Sequence, residues 1–375
     1  MPKGKDKTKE LAQELLALAD IRIDGNRPWD IQIHDERLYS RTLKDGSLGF
    51  GDAYVDGWWD AEKLDEFFAR LLRAGIEEKV LGDWKMLLRL AGQYVFNKQK
   101  KAKAFEVGQR HYDIGNELYE LMLDKRKVYT CAYWKNATDL DEAQEAKLDL
   151  VCRKLNLKPG QRILDIGCGW GSFAKYAAEK YGVSVEGVTV SKEQISWGDE
   201  LCAGLPVKLH FKDYRDIEGQ FDHIVSLGMF EHVGTRNYRT YMEIVNKHLK
   251  DDGLFLLHTI GNNNSTKSED PWIEKYIFPN GKIPSAKQIA GAIEKLFVIE
   301  DWHNFGTDYD KTLMCWFDNF DKNWGKLEGK YGARFYRMWK YYLLVSAASF
   351  RARKNNLWQI VLSKKGVIGG YESIR

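Results

Sequence analysis

Residues 162–172 read RILDIGCGWGS. Ile163, Leu164 and Ile166 form a short apolar run suited to a buried strand. Gly167, Gly169 and Gly171 then fall at every second position before FAKYAAEKYG, which has helical spacing. A strand is therefore expected to turn sharply into a helix here. Glycine lets the backbone come close to a ligand, and the start of a helix offers unpaired N–H groups at the positive end of its dipole. The stretch is thus a candidate cofactor cradle. Its spacing, D-x-G-x-G-x-G from Asp165, differs from the G-x-G-x-x-G of dinucleotide sites, which carry an acid about 20 residues further on. It suggests S-adenosylmethionine over a nicotinamide dinucleotide. A tight strand–helix turn without a ligand is the alternative.

Around this stretch the sequence alternates between strand-like and helix-like segments. Candidate strands are Arg162–Gly167, Val183–Thr189, Val207–Phe211, Phe221–Ser226, Leu254–Ile260, Phe297–Asp301 and Trp358–Ser363. Such alternation predicts an α/β domain with a mostly parallel, doubly wound, Rossmann-like sheet. Ligands of such sheets lie beyond the carboxyl ends of the strands, where the strand order reverses. The positions to examine are therefore Gly167–Gly171, Thr189–Gln194, Asp213–Arg215, Gly228–Gly234 and His258–Gly261.

The second strand carries no acid at its tip for the ribose hydroxyls. Thr189 and Gln194 stand there, so neutral groups must serve, and Glu186, earlier in the strand, reads as structural or surface. After the third strand, in KDYRDI, Asp213 can accept from an adenine amino group and Tyr214 can cover the ring. A polar turn is the alternative there. After the fourth strand comes SLGMFEHVG. Adjacent residues on a helix point about 100° apart, so one of Glu231 and His232 is expected to face the cofactor, and Glu231 is the choice. In LLHTIG, His258 and Ile260 share one face of an extended stretch and Thr259 takes the other.

The chain has 375 residues, 44% hydrophobic and 30% charged, the composition of an ordinary soluble globular protein of more than one core. It shows neither an apolar run of about 18 residues nor an export signal, which predicts a cytoplasmic protein. The five cysteines, Cys131, Cys152, Cys168, Cys202 and Cys315, include no C-x-x-C pair, which argues against a disulfide framework and a structural zinc site. No metal is expected. A net charge of +3 is too small to imply nucleic acid. Lys98, Lys100, Lys101 and Lys103 nevertheless crowd together, where they can meet anionic lipid or simply be solvated.

Residues 1–10 lack an apolar pattern and are expected to be mobile. Leu11, Leu15, Leu16 and Leu18 have helical spacing, and residues 21–33 read as a hairpin about Asp24–Asn26. Residues 35–96 look helical, with apolar sets at Leu64–Leu72 and Val80–Leu88, and Trp58 and Trp59 fit either a core or an interfacial anchor. The expected division is a small α-rich domain over 1–96, a basic linker over 97–110 and a catalytic domain over 111–375.

KVYTCAYWKNATDL, ILDIGCGWGSFAKYAAEKYGVSVEGVTVSKEQ, FKDYRDI, VSLGMFEHVG, LLHTIG, DPWIEKYIFPNG, EDWHNFGTDYDKTL and FRARKNNLWQ follow one another along the chain. Together they resemble the cyclopropane-fatty-acyl-phospholipid synthase family, from about Ile21 to the C-terminus. The resemblance implies methylene transfer from S-adenosylmethionine to a cis double bond of a phospholipid acyl chain. That chemistry needs a methyl aimed at the alkene, shielding of a carbocation from water, and a base for the new methyl. In the family the base is a bound bicarbonate, whose ligands match Cys131, Glu231, His258, Ile260 and Tyr309. Main-chain N–H groups of Cys131 and Ile260, with His258 and Tyr309, would suit an oxyanion, and Glu231 would accept its O–H. Tyr309, Tyr129, Tyr133 and Trp134 can line a site for a transient cation. The family's cofactor contacts match Tyr129, Thr130, Leu164, Asp165, Ile166, Gly167, Cys168, Gly169, Trp170, Gly171, Ser172, Thr189, Val190, Ser191, Lys192, Glu193, Gln194, Tyr214 and Arg215, which adjoin Asp213. Ser346 stands where some members carry a cysteine, which excludes a covalent thiol there. The resemblance also implies a homodimer and peripheral docking on the inner face of the cell membrane. Ordinary N- or O-methyl transfer and a membrane-binding scaffold are the competing readings.

Overall fold

The structure, a computed structural model, describes residues 3–76, 115–266 and 269–375. The expected linker over 97–110, its four lysines and the apolar set Val80–Leu88 lie outside these residues. Among the described residues, strands β1 (Gln32–Ile33) and β2 (Trp59–Asp60) pair antiparallel. The others, β3 (Arg162–Ile166), β4 (Ser184–Thr189), β5 (Val207–Phe211), β6 (Phe221–Leu227), β7 (Leu249–Asn262), β8 (Val298–Asn304) and β9 (Asn355–Ser363), form one sheet in the order β5-β4-β3-β6-β7-β9-β8.

β3 pairs parallel with both β4 and β6, and β9 alone runs against its neighbours β7 and β8. Side chains alternate between the two faces of this sheet. Leu164, Ile224, Phe255 and Ile360 pack on one face with Tyr241, Val245 and Ile289 of helices Tyr238–His248 and Ala286–Ile293. Ile163, Val225, Leu256 and Val361 pack on the other with Leu148, Val151, Ala174 and Ala177 of helices Leu140–Lys154 and Ser172–Tyr181. Each fully buried aliphatic of this kind contributes about 1.5–3 kcal/mol. The sheet is doubly wound, as its alternating sequence predicts. Its order reverses between β3 and β6, which places a crevice at their carboxyl ends.

By contact the chain makes two interleaved units. One joins Met1–Met122 with Ser268–Pro279 and Leu313–Lys354; the other joins Leu123–Lys267, Asn280–Thr312 and Asn355–Arg375. This differs from a division at a single linker. The reason lies in helix Trp324–Arg351: its Tyr341 ring sits 5.2 Å from Phe68 and 5.4 Å from Tyr54, inside the first unit's own aromatic core. There Trp59 is fully buried and donates from Nε1 to Phe50 O, whereas Trp58 is half-buried beside Arg37 and Arg41. Two local expectations change. The first helix begins at Lys3, within the segment expected to be mobile. No hairpin forms over 21–33: Asp30 is buried, holding Arg22 N, Arg27 N and the Arg27 guanidinium, and Gln32–Ile33 turns to β2 instead.

Candidate active site

The glycine loop closes β3 against its neighbours. Gly167, Gly169 and Gly171 have φ of +82°, +55° and +80°, a region costly for residues with a Cβ. A Cβ on Gly167 would stand 2.6 Å from Met229 Cβ, in the turn that follows β6. Gly167 N and Cys168 N both donate to Val188 O, and Gly171 caps the helix Ser172–Tyr181. Side chains pack against Gly167 and Gly171, while nothing lies within 4 Å of where a Cβ on Gly169 would stand. Asp165 is buried, with Oδ1 unpartnered, and burial pushes its carboxyl up to about 7 against the opposing pull of Lys147.

Lys147 was not apparent in the sequence as a site residue. It is fully buried on helix Leu140–Lys154, burial pulls its ammonium down to about 8, and Nζ donates to Thr130 Oγ1 at 2.8 Å. Gln144 donates to Thr130 O from the same helix at 2.8 Å. Thr130 in turn abuts the turn after β6, where a Cβ on Gly228 would lie 2.7 Å from its Cγ2. Two contacts from one helix thus hold Tyr129–Cys131 to the mouth of the sheet.

At the tip of β4 the neutral groups bind each other, Thr189 Oγ1 donating to Gln194 Oε1 at 2.6 Å. Ser191 caps the next helix by accepting from Gln194 N, while Val190, Lys192 and Glu193 are exposed. Asp213 is paired with Arg215. It accepts from Arg215 N at 2.9 Å, Nε at 2.7 Å and Nη2 at 2.9 Å, and that guanidinium holds it below the usual carboxylate range. The Tyr214 ring stands edge-on to Tyr241. Glu186 is structural, accepting from Arg162 Nε and Nη2.

Glu231 lies in the short turn Phe230–His232, anchored by Phe230 stacked on Tyr238 at 4.3 Å. Glu231 is buried and His232 exposed. Its Oε1 accepts from Ile260 N at 2.6 Å, while Oε2 has no partner, the nearby Thr259 hydroxyl donating to Ile260 O. Burial pushes the carboxyl up to about 7, opposed by the Ile260 bond, by the residue's own backbone N–H and by the Thr259 hydroxyl close to it. The Ile260 N–H, expected to be free for an anion, is thus committed to Glu231. His258 is buried on β7, Nδ1 lies 3.3 Å from Gln359 Nε2, and Nε2 is unpartnered. Burial, reinforced by Lys147 and Lys154, holds this imidazole well below its ordinary range. It is neutral at physiological pH.

Cys131 is fully buried, and burial pushes its thiol well above the ordinary value, so it is no nucleophile. Its neighbours are tied to the helix Thr307–Lys322: Ala132 N and Trp134 Nε1 donate to Thr312 Oγ1, and Trp134 N donates to Asp308 Oδ2. Tyr309, also buried, lies on the same turn. Ser346 sits on helix Trp324–Arg351 in the other unit.

A glycine loop at the switch point, a helix N-terminus behind it and buried acid–base groups on the next two strand ends define an S-adenosylmethionine-dependent methyltransferase. The family model described as mycolic acid cyclopropane synthetase matches residues 99–360. Cyclopropane-fatty-acyl-phospholipid synthase of Escherichia coli is 51% identical over 370 residues, 99% of this chain and 97% of that one. A probable fatty acid methyltransferase of Pseudomonas putida is 36% identical over 70% of each chain. Mycolic acid cyclopropane synthase CmaA1, complexed with SAH and CTAB, superposes with a TM-score of 0.64 at 30% identity, covering 71% of this chain and all of that one. The chain belongs to the mycolic acid cyclopropane synthetase family.

Proposed function

We propose that this enzyme transfers a methylene group from S-adenosylmethionine to the cis double bond of an unsaturated phospholipid acyl chain, leaving a cyclopropane ring. When bound, S-adenosylmethionine supplies an electrophilic methyl on a sulfonium. The glycine loop and its helix N-terminus fit that group, since nothing lies within 4 Å of where a Cβ on Gly169 would stand. That methyl would let the alkene π pair form a new C–C bond, the departing sulfide keeping the C–S pair. The resulting cation loses a proton from the new methyl, and the freed pair closes the ring.

The observation that carries the reading is the pair of unmet polar atoms, Glu231 Oε2 and His258 Nε2, buried at adjoining strand ends. Buried polar atoms without partners are costly and mark places for a ligand. A small oxyacid that donates O–H to Glu231 and accepts from His258 fits them. A bicarbonate held there would supply the base for that proton. Glu231 would orient it by accepting, His258 by donating. Tyr133, Trp134, Tyr309 and Phe305 exclude water around the cation. Cys131 serves through its main chain.

Among the described residues no helix is long and apolar enough to cross a membrane. Access to a bilayer substrate would come by peripheral docking on the inner leaflet, with Lys98–Lys103 against anionic lipid, and as a homodimer.

The test is incubation of unsaturated phospholipid vesicles with S-adenosylmethionine bearing a fully deuterated methyl, then mass analysis of the acyl chains. Chains that gain one carbon and keep two of the three deuteriums support the proposal. Retention of all three means plain methyl transfer and refutes it.

A further inference from the structure

Strands β7, β9 and β8 lie side by side, and their registers put three polar side chains in one row. Gln359 of β9 is the direct partner of His258 on β7 and of His303 on β8. Residues opposed in this way present their side chains on the same face, with Cβ atoms about 4.5–5.5 Å apart. The row is buried at its centre: Gln359 is 0% and His258 1% exposed. Gln359 stands in the stretch FRARKNNLWQ, to which the reaction as described above assigns nothing.

Gln359 Nε2 lies 3.3 Å from His258 Nδ1, and its Oε1 has no partner. At the far end of the row Lys154 Nζ lies 3.1 Å from His303 Nδ1 and 3.3 Å from Asp301 Oδ2, and Arg375 also holds Asp301. An ammonium can only donate, so His303 Nδ1 is an acceptor there. A neutral imidazole carries one N–H, and the partner of one ring nitrogen decides which nitrogen carries it. An amide N–H donated to Nδ1 of His258 leaves the hydrogen on Nε2.

We propose that Gln359 is a positioning residue that fixes His258 as its Nε2–H tautomer, so that His258 enters the site as a hydrogen-bond donor and not as a base. The inference rests on the reading that His258 Nε2 faces the reacting groups. Its surroundings agree with it. Imidazolium would put a second donor against the Gln359 amide, in the field of the Lys147 and Lys154 ammoniums. A donor at Nε2 also complements the Glu231 carboxyl, whose free oxygen accepts, so the two residues can grip opposite ends of one small oxyacid. A carboxylate at position 359 can only accept. Gln359→Glu, nearly the same shape, would therefore draw the proton to Nδ1 and leave Nε2 as a bare lone pair.

The experiment is long-range 1H–15N correlation on the full chain labelled with 15N in its histidine rings, the His258 signals being those absent from His258→Gln. Wild type is expected to show the Nε2–H pattern, Gln359→Glu the Nδ1–H pattern, and Gln359→Leu a mixture of the two. With the tautomer reversed, kcat should fall about 10- to 100-fold, the cost typical of removing the second partner of a metal-ligating histidine, with KM for S-adenosylmethionine unchanged. An Nδ1–H or imidazolium signature in wild type overturns the inference without need of any variant. So does a Gln359→Glu protein that keeps the Nε2–H pattern, or one that reverses it at full kcat. Full activity in His258→Gln would instead refute the role of His258 in the proposed reaction, and the tautomer spectra would still decide what Gln359 does.

Discussion

Above neutral pH the Glu231 carboxylate is ionised inside the protein, and replacing it with glutamine should make the fold more stable. Glutamine keeps an oxygen for the Ile260 N–H, the 2.6 Å bond that holds this side chain, and removes the charge. The folded carboxyl titrates at about 7, against 4.5 when exposed, because burial disfavours the ion. Between those two values the native state holds a proton that the unfolded chain has released, so stability falls as pH rises through this window and levels off above it. The gap, at about 1.36 kcal/mol per pH unit, corresponds to about 3 kcal/mol. Glu231→Gln should therefore differ little from wild type near pH 4.5 and be more stable by up to about 3 kcal/mol at pH 8. Urea unfolding of both proteins across that range, in bicarbonate-free buffer without S-adenosylmethionine, reads the difference from the midpoints. Activity should move the other way, falling about 10²–10⁴-fold and losing the limb of kcat/KM near neutral pH. An offset between the two proteins that is the same at every pH would refute the argument, because the carboxyl would then not be desolvated in the fold.

Gly167→Ala places a methyl 2.6 Å from Met229 Cβ at φ +82°. Conformational strain of about 1–2 kcal/mol and overpacking of about 1–3 kcal/mol should lower S-adenosylmethionine affinity at least tenfold, and calorimetric titration at wild-type strength would count against the cradle. Cys131→Ala should keep most of the activity and remove no thiol labelling by maleimide at neutral pH, since that thiol is buried and protonated; a large loss of kcat would show that the side chain takes part. Lys147→Met removes the bond to Thr130 Oγ1, at about 1–3 kcal/mol, but also an ammonium that burial disfavours, so its stability relative to wild type should fall as pH rises above about 8, measured by chemical unfolding. Charge reversal at Lys98, Lys100, Lys101 and Lys103 should weaken sedimentation with anionic vesicles, and unchanged sedimentation would remove these lysines from membrane docking.

Much of the local geometry at the candidate site was legible because its information is local. The positive φ at Gly167 and Gly171 can be anticipated from a strand that must turn directly into a helix. The two-residue period of β7 put His258 and Ile260 on one face, and Glu231 was separable from His232 because only one of two adjacent residues can face inward. The same logic failed where a competitor came from nearby in sequence but on different terms. Arg215 folds back onto Asp213 through three hydrogen bonds, a pairing the local pattern did not indicate. Asp30 holds two backbone amides and a guanidinium, which outweighs the hairpin suggested by Asp24–Asn26.

The amino-acid sequence by itself determined the doubly wound sheet, the glycine loop and the strand ends that hold the candidate site, because hydrophobic period and turn chemistry act over a few residues. Only the tertiary structure decided which groups meet. Gln359 reaches His258 across 101 positions of chain because β9 inserts antiparallel between β7 and β8. The Ile260 N–H goes to Glu231, and residues 313–354 pack with the N-terminal unit. Each of these is a choice among distant partners, made by burial and hydrogen-bond satisfaction over the whole fold, and no short stretch of sequence records it.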